Sequence, residues 1–216
     1  MMKFYKPVLL LVLSAGLLSS CSKSDYSIPA TPAQAAYQND LRDDFNSDTH
    51  NWSYTNTTNN SSIYISDGYL FYTYHPSTTV PGNIQQGIST SISSSANFRL
   101  ETSITSDNVM GLFFGANDTA KGFSFKVDMV NGRYALYNEG DTTHAPLPIY
   151  GWTTSNRINV NGFDTLRLEQ VGDVWNGYIN STQIFYTTAR PLLGDSVGFI
   201  IAPGTNGQAD YLDIKW

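Results

Sequence analysis

The feature that most constrains this chain is a two-residue alternation through residues 98–137, FRLETSITSDNVMGLFFGANDTAKGFSFKVDMVNGRYALY. Phe98, Leu100 and Ile104 fall on one side of an extended segment, with Arg99 and Glu101 on the other. The pattern returns with Phe123, Phe125, Val127 and Met129 against Ser124, Lys126 and Asp128. Successive side chains of a strand point to opposite faces, so a period of two predicts half-buried strands, one face toward a core and one polar and accessible. The run Gly111-Leu112-Phe113-Phe114-Gly115 is apolar on both sides, the pattern of a strand covered on both faces.

Turn chemistry fixes how such strands connect. Asp67-Gly68 and Asn131-Gly132 each separate two alternating runs and predict tight hairpins. Gly172-Asp173 and Asn180-Ser181 predict two more turns, a strand is expected over 87–93, and segments 196–201 and 211–216 close the sheets. Residues 139–161, with Pro146, Pro148, Tyr150 and Trp152, show no period and predict a long irregular loop, a feature that is often functional. Roughly a dozen strands at short, regular spacing with no convincing helix predict an all-β sandwich. The hairpins differ in length and motif, which argues against a propeller.

The chain divides into three parts: 1–20, 21–39 and 40–216. Lys3 and Lys6 precede an apolar run over 8–18 and then small residues, the order of a secretory signal peptide. A spanning helix needs about 20 apolar residues and this run is roughly half that, so cleavage is expected rather than membrane spanning. Leu18-Ser19-Ser20-Cys21 resembles the lipobox of bacterial lipoproteins, which implies that Cys21 is lipidated. Cys21 is the single cysteine, so it has no partner for an internal disulfide. Acyl attachment would place the protein on a membrane without crossing it. Ser22 after the cysteine resembles the signal for the outer membrane, with surface exposure a further expectation. Residues 22–39, rich in Ser, Pro, Ala and Gln, read as a tether, and 40–216 as one folded domain. The net charge of −6 and the absence of a basic patch exclude nucleic acid as an expected partner.

The order of the pieces FRLETSI, GLFFG, GFSFKV with NGRYAL, DTLRLE with WNGYINSTQI, SVGFI and YLDIK resembles the concanavalin A-like lectin/glucanase superfamily. Within it, the chain looks similar to the laminin-G-like and 3-keto-disaccharide-hydrolase-like domains of Bacteroidetes lipoproteins. The resemblance covers about 40–216 and implies a jelly roll of two antiparallel sheets. It further implies a concave face that binds glycans in many members, and in some a calcium ion at the rim. Fold does not transmit function, so the chemistry rests on the residues.

Glycoside hydrolysis needs two carboxylates about 5–10 Å apart. Laminarinase-type members of the superfamily carry them as E-x-D-x-x-E or E-x-D-x-E, and no such run exists here. Glu101 has Arg99 beside it, which favours the ionised carboxylate over a general acid. Arg99, Glu101, Lys126 and Asp128, with Arg167 and Glu169, are expected to form a charged floor on one sheet if their strands are neighbours. Tyr137 and the loop aromatics Tyr150 and Trp152 would border it, a suitable arrangement for a sugar and equally that of a solvated sheet face with edge-sealing aromatics. His50, His75 and His144 lack paired spacing, which argues against zinc, and no catalytic cofactor is called for. Asp107, Asn108, Asn117 and Asp118, in successive turns, are candidate calcium ligands, although such residues also suit turns for their own backbone bonding.

Three readings follow. The first is a non-catalytic, lipid-anchored surface module that binds a glycan or other cell-envelope ligand. The second is a glycoside or keto-sugar hydrolase using Glu101 or Asp128, and the third a structural or adhesion protein.

Overall fold

The computed structural model describes residues 37–77, 82–141 and 143–216; the expected signal peptide, Cys21 and most of the segment expected as a tether lie outside them. The strands in chain order are β1 (Asp40–Asp43), β2 (Tyr54–Asn56), β3 (Ser61–Ser66), β4 (Tyr69–Tyr74), β5 (Ile84–Ser89), β6 (Phe98–Ser106), β7 (Val109–Ala116) and β8 (Phe123–Asp128). They continue with β9 (Arg133–Asn138), β10 (Leu147–Thr154), β11 (Asp164–Val171), β12 (Val174–Ile179), β13 (Thr182–Thr188), β14 (Ser196–Ile201) and β15 (Thr205–Lys215).

Two antiparallel sheets form an all-β jelly-roll sandwich, as the alternation predicts. The nine-stranded sheet runs β13-β12-β11-β6-β15-β4-β3-β2, with β1 beside the second half of β15. The six-stranded sheet runs β10-β9-β8-β7-β14-β5. Their inner faces share one core: Phe98, Leu100 and Ile104 from β6 meet Met110, Leu112 and Phe114 from β7 and Phe123, Phe125 and Val127 from β8. Trp175 sits edge-on to Phe114 and Phe123 with ring centroids 5.1 and 4.8 Å away. Trp52 and Phe45 pack about Phe199 toward the β14 side. The predicted hairpins are present, with the left-handed backbone that their Gly and Asx residues accept: φ is 51° at Asp67, 76° at Gly68, 57° at Gly132, 57° at Gly172 and 48° at Asn180.

Four expectations are corrected. Residues 139–161 are not an irregular loop: they contain β10, an edge strand whose register against β9 shifts on both sides of Tyr150. Bulges, Pro148 and Gly151 erase the period by which a strand is read from sequence. The strand expected over 87–93 lies earlier, as β5. The charged floor expected on one sheet does not form, because the chain crosses the sandwich at Asp107-Asn108 and places β6 and β8 in different sheets. Finally, the outward side chains of β8 are not accessible: Ser124, Lys126 and Asp128 are as buried as their inward neighbours.

Candidate functional site

Because β6 and β8 lie in opposite sheets, the expected charged floor is divided between the two outer faces of the sandwich. Arg99 and Glu101 face out from the nine-stranded sheet, and Lys126 and Asp128 from the six-stranded one.

On the nine-stranded sheet the charges alternate in two rows. Glu169, Arg99, Lys215 and Asp40 lie opposite one another across four strands, and Arg167, Glu101, Asp213 and Arg42 form the next row. Arg99 Nη2 lies 3.1 Å from Asp213 and 3.3 Å from Glu101, and Arg167 Nε 3.3 Å from Glu169. Tyr211 donates to Glu101 at 3.0 Å, and burial together with the Glu101 charge pushes its phenol up to about 12. Arg167 lies over Tyr178 at 4.1 Å and Arg42 over Tyr211 at 4.3 Å. Arg99, Glu101, Asp213, Arg167 and Glu169 are engaged with one another inside the array and Arg42 with Asp44 at 2.7 Å, while Nε of Arg99 and Nε of Arg167 are buried without a hydrogen-bond partner.

The six-stranded sheet presents a different surface. Lys126, on β8, donates to Glu139 at 2.7 Å and lies 4.1 Å from the Tyr137 ring centre; Ser124 also donates to Glu139. Alternation explains the grouping, since Arg133, Ala135, Tyr137 and Glu139 share a parity along β9 and its extension. The Tyr137 ring covers the Lys126 stem and head, which is why a sequence-polar face becomes a buried one. Beside it stands Trp152 from β10, 6.3 Å from Tyr137, with Arg133 5.0 Å from the centre of its indole. Asp128 is held by Arg133 at 2.8 Å and by Asn131. Burial works to raise its pKa, but the hydrogen bonds from Asn131 and Arg133 outweigh that and hold the carboxyl below its ordinary value.

Next to this cluster is a cavity of about 290 Å³, bordered by Asn83, Gln85, Lys121, Glu139 and Pro146 and reaching Ile200. The floor follows from the register: Gln85, Ile200, Gly111 and Lys126 lie opposite one another across β5, β14, β7 and β8. Phe113, Ala116 and Ile200 form a small apolar cluster on this outer face, separate from the main core. The Phe113 ring reaches over Gly87, where an added Cβ would lie 2.5 Å from it. Glu139 belongs to both the ion pair and the cavity wall, and so links the two. Its role was missed in sequence, although its parity with Tyr137 was the available signal.

The remaining sequence candidates are dispersed. Tyr150 turns inward and stacks on Tyr134 and Phe185 at 5.8 and 5.6 Å. Burial, and then the bond to Tyr150, pushes the Tyr134 phenol up to about 12. Tyr150 is therefore a core contact, not a platform beside Trp152. Asp107-Asn108 and Asn117-Asp118 flank opposite ends of β7, about 30 Å apart at the ~3.3 Å rise of a strand residue, so the four share no calcium site. Asp107 accepts from the backbone amide of Asn206 on β15 at 2.6 Å, and Asn117 accepts from the Ala120 amide of its own turn at 2.8 Å. Among the described residues, no cluster of three or more His, Cys, Asp or Glu is placed to hold a metal.

This geometry defines the class first: a jelly-roll β-sandwich of two antiparallel sheets. Solved structures share the fold in particular. A Bacillus subtilis protein of unknown function with a galectin-like fold aligns with TM-score 0.56 at 10% identity, over 84% of this chain and 97% of that one. An endo-β-1,3-glucanase from Pyrococcus furiosus aligns with TM-score 0.53 at 10% identity, over 81% and 92%. A Bacteroides ovatus mixed-linkage glucan GH16 protein in complex with product aligns with TM-score 0.52 at 13% identity, over 81% and 99%. At such identities the likeness is one of fold. No protein-family model matches the chain, and no curated protein matches it.

Proposed function

We propose that the chain is a lipid-anchored surface module that binds a glycan or another cell-envelope ligand, without catalysis, on the outer face of its six-stranded sheet. The observation that carries this reading is the junction at Glu139. A carboxylate fixed by Lys126 and Ser124 opens onto a cavity of about 290 Å³, and on the same outer face Tyr137 lies over Lys126 with Trp152 6.3 Å from its ring. That volume is near the lower end of the roughly 300–1,000 Å³ of small-molecule sites. Pinned charges give directional partners for hydroxyls, and the aromatic rings give faces for the C–H surface of a sugar ring. The glucan-directed names of two fold neighbours point to the same ligand class by analogy.

Catalysis finds less support. Glu139 and Asp128 are attached near opposite ends of the β8–β9 pair, six residues apart by register, or about 20 Å. Glycosidases place their carboxylates about 5–10 Å apart. Glu101 and Asp213 are closer, but the Arg99 guanidinium sits between them, where a glycosidic oxygen would have to enter.

Two measurements test the reading. Trp152→Ala in the full chain, purified in detergent, is expected to weaken retention on immobilised neutral polysaccharide about tenfold, on the scale of one lost aromatic stacking contact. Unchanged retention would remove this face from consideration. Cys21→Ala is expected to abolish partitioning into the membrane fraction, and a variant that still partitions would refute the lipid anchor.

A further inference from the structure

The nine-stranded sheet carries a second feature, away from its charge array. Tyr64, Phe71, Gln208 and Thr105 lie opposite one another in a single row across β3, β4, β15 and β6, all facing out. Tyr64 and Phe71 are stacked at 5.2 Å and 13°. Tyr69 is 6.2 Å from Phe71, and Phe163, from the loop before β11, is 5.8 Å from Tyr69. Tyr64 is 47% exposed and Phe163 37%. Beside these rings runs a groove of about 460 Å³ lined by Phe71, Thr105 and Gln208 with Val160 overhanging, a volume well inside the range of ligand sites.

We infer that this groove is a second saccharide-binding site, specific for an uncharged saccharide, on the opposite face of the sandwich from the first. Four aromatic rings in contact and partly exposed are a costly surface for a chain in water unless something covers them. Apart from Asp107, the polar side chains lining it are the amides of Gln208 and Asn206 and the hydroxyls of Thr105 and Ser106, groups that donate and accept and so suit hydroxyls rather than a fixed charge. The groove's lining includes no lysine or arginine, which disfavours an anionic polymer. The one carboxylate there, Asp107, is occupied by the backbone and side-chain nitrogens of Asn206 at 2.6 and 2.7 Å, which disfavours a cation. Charge complementarity therefore selects a neutral ligand, and the rings select one with flat C–H faces. The inference goes beyond the proposed function by making the module bivalent. Two sites on opposite faces can bridge two glycan chains, or hold one chain that wraps the edge, with a gain in avidity.

The test counts bound ligands. Full chain released from detergent is examined by native mass spectrometry with β-1,3- and β-1,4-linked glucose hexasaccharides and a xylose hexasaccharide. Wild type is expected to bind two equivalents. Tyr64→Ala and Gln208→Ala should bind one, Tyr64→Phe should restore the second, and Trp152→Ala should lose the other. Because Tyr64 and Gln208 lie on the surface, circular dichroism of the variants should match wild type. Two equivalents persisting in both Tyr64→Ala and Gln208→Ala would overturn the groove and leave the first site standing. So would a single equivalent that only Trp152→Ala removes. A single equivalent that Tyr64→Ala removes and Trp152→Ala spares would establish the groove and overturn the first site. Absence of binding by wild type to all three saccharides would overturn the groove.

Discussion

Glu139→Ala is expected to lower the stability of the domain by about 3–5 kcal/mol, a loss large against the roughly 5–15 kcal/mol of an ordinary domain. In the native protein the Lys126 side chain is 8% exposed, with its ammonium 2.7 Å from the Glu139 carboxylate and 4.1 Å from the Tyr137 ring centre, and the substitution removes the carboxylate. The cost is that of an uncompensated buried charge rather than the worth of the ion pair. The double variant Lys126→Met/Glu139→Leu is therefore expected to recover most of the loss, and its saccharide binding to remain weak. Urea unfolding of the three proteins decides it. A single variant within about 0.5 kcal/mol of wild type would mean that Lys126 escapes to water and that the pair does not seal this face.

Trp175→Ala is expected to cost about 3–5 kcal/mol, the range for removing a fully buried large aromatic. The indole is 0% exposed, packs between Phe114 and Phe123, and donates from Nε1 to Gln170 at 2.7 Å. Gln170 in turn donates to the carbonyls of Ser94 at 2.8 Å and Ala96 at 3.1 Å, so the tryptophan also orients the connection entering β6. Trp175→Phe should keep part of the packing and still lose about 1–3 kcal/mol through the unpaired Gln170 acceptor. Equal midpoints for Trp175→Phe and wild type would show that the hydrogen bond contributes nothing.

The strands and hairpins were legible because their signals are local. Alternation in β6, β8, β9 and β11 marks an inward face, and Asp67-Gly68 or Asn131-Gly132 supplies the backbone a two-residue turn demands. What period two does not encode is the sheet to which a strand belongs. Arg99 and Lys126 have the same outward pattern and end on opposite sides of the molecule, because the chain crosses between sheets after β6. β10 escaped notice for a different reason, since its two register shifts turn Tyr150 inward and Trp152 outward in a segment that reads as irregular. The burial of Lys126 depends on Tyr137 and Glu139 from the neighbouring strand, a cross-strand effect that becomes visible only once β8 and β9 are paired. The aromatic groove joins Tyr64 to Thr105 through Gln208, residues far apart in the chain, and only the sheet order reveals it.

The position of β15 has a consequence for timing. It lies between β6 and β4 and also receives β1, so three earlier strands share one late partner. A ribosome delivers residues in order, and until 205–215 emerge the nine-stranded sheet is two unjoined fragments and an unpaired β1, with their core faces open. Such a sheet closes in a late, long-range step, the slow mode of folding that non-local pairing imposes.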